Sequence, residues 1–201
     1  MHLKPLATFD CLYLGSRLQR SLAGFSAAEL HLLAYLSCLL SLYRKTPVTD
    51  WGYGFIGTER GAPFSVEIKD AAQELENRGF FYSTQDKLRV TDAAEELLKK
   101  LEGMSLYEER ADCLNAASSS IVAFSVGTVR EALNNEPELQ RARQMPSNRE
   151  LLDEPGIEII YEHFQLLREV MGDRIKDLRL PAVTWLTALF RSGEAEAQAH
   201  D

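Results

Sequence analysis

Between Leu30 and Tyr43, the residues Leu30, Leu32, Leu33, Leu36, Leu39, Leu40 and Leu42 fall on almost every side of a helix. A surface helix carries one apolar stripe, whereas a helix apolar around most of its circumference must be surrounded by other elements. The rest of the chain therefore has to supply neighbours on several sides of this segment. Ser26 and Glu29 stand in the capping-box pattern that opens such a helix, and Pro47 closes the region. The run is about 14 residues and includes His31, Ser37 and Ser41, short of the ~20 needed to cross a bilayer. It reads as a central core helix and not as a membrane span.

Around it the periodicity predicts further helices. Leu6, Phe9, Tyr13, Leu18 and Leu22 mark a first helix over residues 6–22, with Gly24 at its exit. Residues 51–64 mix four glycines with Trp51, Tyr53, Phe55 and Phe64 and read as an aromatic loop. Ser65 follows Pro63 as the predicted cap of a helix over 65–78, which carries Val66, Ala71, Ala72 and Leu75 and is closed by Gly79. Phe80 to Ser83 and Leu88 to Thr91 are β-prone runs joined by a four-residue polar turn, and Thr91 or Asp92 caps the next helix.

Helix, glycine, strand, turn, strand, helix is the order of a winged helix. The expected fold class is thus mainly α: a winged-helix domain with a two-stranded β-hairpin wing over residues 1–103, plus a helical C-terminal extension. A second capping box at Ser105 and Glu108 predicts a helical connection over 104–133, broken near 117–120. Residues 134–156 contain Pro137, Pro146 and Pro155 and read as a linker or loop. A separable helical pair is expected over 157–192, from the stripe Ile157, Ile160, Tyr161, Phe164, Leu167 and Met171 and a last helix with Pro181 in its first turn. Residues 193–201 read as a disordered acidic tail.

The net charge of −8 disfavours broad phosphate binding, which draws its affinity from Lys and Arg displacing counterions. Cys11, Cys38 and Cys113 are odd in number and far apart, as expected of reduced thiols in the cytoplasm, and residues 1–10 lack a secretory pattern.

The remaining motifs give no catalytic, cofactor or metal assignment. Gly52, Gly54 and Gly57 have dinucleotide-fingerprint spacing but follow a proline-containing loop and run into Gly61 and Pro63 instead of opening a helix. His2, His31, His163 and His200 have no zinc-site spacing. His31 and Cys38 lie two turns apart on one helix side, but no third orienting group is evident, and a packed histidine is expected. Glu158, Glu162, His163, Arg168 and Glu169 read as a solvated, salt-bridged helix face. No cofactor is implied.

In a DNA-reading winged helix the segment 65–78 would enter the major groove. Here Glu67, Asp70, Glu74 and Glu76 oppose Lys69 and Arg78, a balance of −4 + 2 = −2. Lys87 and Arg89 at the wing are the nucleic-acid contact candidates, but two cations give only weak DNA binding through this chain alone. A transcription regulator would require oligomerisation to gather them with Arg141, Arg143 and Arg149. Protein docking is the better expectation, with Trp51, Tyr53, Phe55 and Phe64 as anchor candidates. Their alternative role is to seal the core, and the sequence leaves both readings open.

The stretch Gly61, Ala62, Pro63, Phe64, Ser65, followed by a helix ending in Asn77, Arg78 and Gly79, resembles a segment of Panacea-domain antitoxins over about residues 28–101. The overall plan also resembles the middle components of ABC-three-component systems, including the small accessory subunit of Lamassu antiphage systems. The second resemblance implies a non-enzymatic accessory subunit of a bacterial complex, bound to an SMC-like or ABC-type ATPase and an effector subunit in antiphage defence. The first implies an antitoxin that neutralises a toxin.

Overall fold

The computed structural model describes residues 4–85, 87–144, 149–172 and 177–199. Helix α1 (Pro5–Leu22) starts with proline in its first turn, and Ala23 ends it in the left-handed conformation. Helix α2 (Ala27–Tyr43) opens with the predicted capping box: Ser26 Oγ accepts from Glu29 N–H, and Ser26 N–H donates to Glu29. All fourteen residues from Leu30 to Tyr43 are buried. The hydroxyls inside this run donate back to the helix, Ser37 to Leu33 O at 2.7 Å and Ser41 to Cys38 O at 2.6 Å. Burial therefore leaves neither donor orphaned.

Short strands follow a single 3₁₀ turn (Val48–Trp51). Strand β1 (Phe55–Gly57) pairs antiparallel with β2 (Pro63–Phe64), so the expected aromatic loop is a hairpin. Helix α3 (Val66–Asn77) comes next, and Gly79 leaves it with φ +73°. Ser65 does not cap α3, because its hydroxyl donates to the Glu67 carboxylate at 3.1 Å instead of accepting from the helix. Strands β3 (Phe81–Thr84) and β4 (Lys87–Val90) form the second hairpin, one residue displaced from expectation at its ends and with a shorter connection. Thr91 then caps α4 (Asp92–Glu102) by accepting from Ala94 N–H.

The C-terminal half departs more from expectation. Ser105 starts a 3₁₀ turn (Ser105–Tyr107) in place of a capping box, and α5 (Glu108–Ala123) runs unbroken through residues 117–120. The break comes at Phe124, before α6 (Val126–Asn134). The predicted linker 134–156 contains α7 (Pro137–Arg143), which starts at a proline beside its cap Glu136, and β5 (Arg149–Leu151). Strand β5 adds to β1, giving a three-stranded sheet in the order β2-β1-β5. Helices α8 (Glu154–Met171) and α9 (Arg179–Ala199) complete the chain. The tail expected to be disordered is helical through Ala199; residues 200 and 201 lie outside the described residues.

The molecule is mainly helical, with two small sheets. Helix α2 packs against α1, α3, α5, α8 and β2, while α9 lies on α5 and α6. The C-terminal pair is consequently part of the same core, and Phe164 and Trp185 join Tyr35 and Phe9 in one apolar cluster. No helix of the described residues is long and apolar enough to cross a membrane.

Where α7 crosses β1, a side chain at Gly57 would land against Ala142. Gly57→Ala should therefore lower unfolding stability by about 1–3 kcal/mol, as overpacking does. Gly54→Ala, where a side chain meets nothing within 4 Å, should be near neutral. Urea denaturation checks this as a lower midpoint at unchanged slope for the first variant alone.

Candidate functional site

The candidate anchors Trp51, Tyr53 and Phe55 lie inside the molecule, at 4%, 8% and 2% exposure. Trp51 ends the 3₁₀ turn that packs on α2, and Phe55 meets Tyr35 of α2 edge-on at 5.3 Å. Phe64, half-buried on β2, lies 4.7 Å from the His31 ring. As exposed anchors Trp51, Tyr53 and Phe55 are corrected, since they seal the sheet against α2, while Phe64 keeps part of its ring exposed.

They also enclose a buried charge. Arg110 of α5 reaches Asp10 of α1 with two donors, Nε to Oδ1 at 2.5 Å and Nη2 to Oδ2 at 2.6 Å. Its Nη1 donates to the Trp51 carbonyl at 2.9 Å, and the guanidinium carbon stands 3.8 Å from the centre of the Trp51 ring. The Tyr53 hydroxyl also donates to Asp10. Burial pushes the Asp10 carboxyl up, while Arg110 and Tyr53 oppose that shift. Burial works against the guanidinium too, but Asp10 more than offsets it and holds Arg110 protonated. Two N–H donors and a phenol converging on one carboxylate identify an ionised pair. A half-open pocket of about 280 Å³ lies over this cluster, lined by Leu6, Arg44, Trp51, Leu106, Glu109 and Arg110.

A second buried group ties α7 to α2. Glu136 accepts from the backbone N–H of Glu138 and Leu139, both at 3.0 Å, and from the Tyr35 hydroxyl at 3.0 Å. Burial raises its carboxyl to about 7, against those donors, and the neighbouring Glu138 adds to the rise. Glu138, also buried, accepts from Leu152 N–H at 3.2 Å and lies 3.0 Å from Arg141 Nη1. Sequence reasoning passed over both glutamates by reading the segment as a linker. The signal available was a carboxylate directly before a proline, an N-cap followed by its favoured first residue.

His31 and Cys38 do not form a reactive couple. The Ser65 N–H donates to His31 Nδ1 at 3.2 Å, and burial lowers the imidazole to about 4. Burial likewise raises the Cys38 thiol well above its ordinary range and that of Cys113 to about 12. A thiol held protonated is a poor nucleophile. No group of His, Cys, Asp and Glu among the described residues could hold a metal ion.

The outward surfaces differ in charge. On α3, Glu67 is bound by Lys4, while Glu74 holds Arg78 at 2.6 Å. Glu76 accepts from Ser83 of the hairpin at 2.6 Å. Lys87 and Arg89 are exposed on β4, whose Leu88 exchanges two backbone hydrogen bonds with Phe25. Arg141 and Arg149 are instead drawn to Asp153, at 3.6 and 2.5 Å, at the corner of α7 and β5. On α8, Arg168 turns inward to the Tyr43 carbonyl at 2.8 Å, leaving Glu158, Glu162 and Glu169 exposed.

Compared with protein-family models, curated proteins and solved structures, the chain matches none.

Two outcomes follow from this geometry. Arg110→Met leaves the Asp10 carboxylate buried without its cation and should cost about 3–5 kcal/mol. In a double-mutant cycle with Asp10→Leu, the pair should lose much less than the sum of the two single variants. Because His31 is lowered from 6.5 to about 4, its contribution to stability is present above pH 6.5 and is lost as pH falls through 4. His31→Asn should flatten the decline of stability over that window, measured by urea midpoints at successive pH values.

Proposed function

We propose that this chain is a non-enzymatic accessory or adaptor subunit with a winged-helix-like N-terminal half, docking within a bacterial multiprotein complex. The partners proposed are an SMC-like or ABC-type ATPase and an effector subunit, working together in antiphage defence. One observation carries the choice of protein over nucleic acid. In the proposed winged helix α3 would be the base-reading helix, yet it carries four carboxylates against two cations, and its exposed Arg78 is neutralised by Glu74.

Other features support the same reading. The helix–hairpin–helix unit of α3, β3, β4 and α4 lies against α1 in the order expected of a winged helix. The buried ionisable groups Asp10, Arg110, Glu136 and His31 are each bound to another element, where they fasten the frame. The acidic surface suits a basic protein face, and Lys87 and Arg89 by themselves offer little to a phosphate backbone.

The test is co-expression of the tagged full chain with the genes adjoining its own, followed by affinity purification and size-exclusion chromatography. A large ATPase co-eluting in fixed stoichiometry is the expected result. Recovery of the chain with a small toxin would replace this reading by the antitoxin one. Specific duplex binding by the chain alone, with an affinity that falls steeply with salt, would replace it by transcriptional control.

A further inference from the structure

Helix α8 has two differently made sides. Inward, Ile160 and Phe164 are fully buried, and Phe164 packs against Trp185 of α9 and Tyr43 of α2. Outward, Ile159, His163, Leu166 and Val170 recur at intervals of four, three and four residues, which places them in one line along the helix. Leu166 is 61% exposed and Val170 86%, while Ile159 and His163 are half-buried. One residue earlier in each interval stand Glu158, Glu162, Gln165 and Glu169, all exposed. The face is therefore two parallel ladders, one largely apolar and one acidic, each with the spacing that a partner helix reads.

We propose that this outward face of α8 is a docking seam for a single amphipathic helix of a partner protein. That helix carries apolar residues toward Ile159, Leu166 and Val170 and Lys or Arg toward Glu158, Glu162 and Glu169. Charge decides the occupant. An antiparallel second copy of α8 would set its acidic ladder against itself, since like flanks meet in that arrangement. A nucleic acid or an anionic membrane presents phosphates to three carboxylates, which repel them. A basic helix satisfies both ladders together, and its lysines steer the encounter from a distance. His163 sits within the apolar line, and burial keeps its imidazole below the ordinary value, against the pull of Glu162. The line is consequently uncharged near neutral pH, as an apolar seam requires. The inference deepens the docking function proposed above but rests on α8 alone.

The test uses the full chain and two labelled synthetic helical peptides. Both carry leucine at the four-three-four spacing; one has lysine on the adjacent ladder and the other glutamate. Fluorescence anisotropy should show the lysine peptide binding at least ten times more tightly than the glutamate peptide. Val170→Glu should weaken the lysine peptide at least tenfold. Val122→Glu, at an 80% exposed position on α5, should leave binding unchanged, with circular dichroism confirming both folds. Equal binding of the two peptides, or equal loss in both variants, would overturn the proposal. A dimer seen by light scattering that Val170→Glu dissociates would assign the seam to a second copy instead. Co-purification with an ATPase that survives Val170→Glu would leave the adaptor reading standing and remove this seam from it.

Discussion

Helix α2 has no solvent side over the fourteen residues from Leu30 to Tyr43, and the architecture follows from enclosing it. Each buried leucine contributes about 1.5–3 kcal/mol relative to exposure, so the segment is stable only with neighbours in every direction. Helices α1, α3 and α5 cover part of it, and α8 and the sheet edge at β2 close the rest. This is why the C-terminal helices belong to the core instead of forming a separate pair: without α8, Tyr43 would lose Phe164, its edge-on partner. The hydroxyls of Ser37 and Ser41 are tolerated there because each returns to a carbonyl of its own helix.

Enclosure brings ionisable groups inside with the apolar ones, and each is matched on a different element. The pair Asp10–Arg110 joins α1 to α5 and, through the Trp51 carbonyl, to the turn that precedes β1. Such a pair adds little over well-packed apolar residues, but breaking it is costly because a lone charge remains buried. Its effect is to fix one arrangement of three segments. Glu136 does the same for α7, whose first N–H groups it accepts while holding the Tyr35 hydroxyl of α2. Groups bound in this way tie separate segments of the fold together.

Legibility in the sequence tracked how local each structural cause is. The capping box at Ser26 and Glu29, the exit of α1 before Gly24 and the second hairpin were readable because their determinants lie within a few residues. The sheet β2-β1-β5 was not, since its strands are two or three residues long and β5 pairs with a partner more than ninety positions earlier. Its aromatic residues looked the same whether they sealed a core or anchored a partner, and only the placement of Arg110 and Tyr35 around them decides it. Prolines misled in the segment 134–156, where Pro137 opens α7. Ser65 and Ser105 had cap-like spacing, but Ser65 found the nearer Glu67 carboxylate and Ser105 a 3₁₀ turn. On α8 the inward stripe was evident from period alone. The exposure of Leu166 and Val170 needed the burial of the opposite side before it could be recognised.

The two outer faces at issue, on α3 and on α8, both rest on the same buried helix, since α2 packs against each. A close-packed element with no solvent side cannot shift on one flank without repacking the other. Helices α3 and α8 are therefore carried in a fixed mutual orientation. The adaptor role proposed above would draw on that property, because a contact face whose geometry is fixed keeps its shape when it is loaded. The polar ties at Asp10–Arg110 and Tyr35–Glu136 strengthen it, because a rearrangement of these segments would have to separate buried groups from their partners.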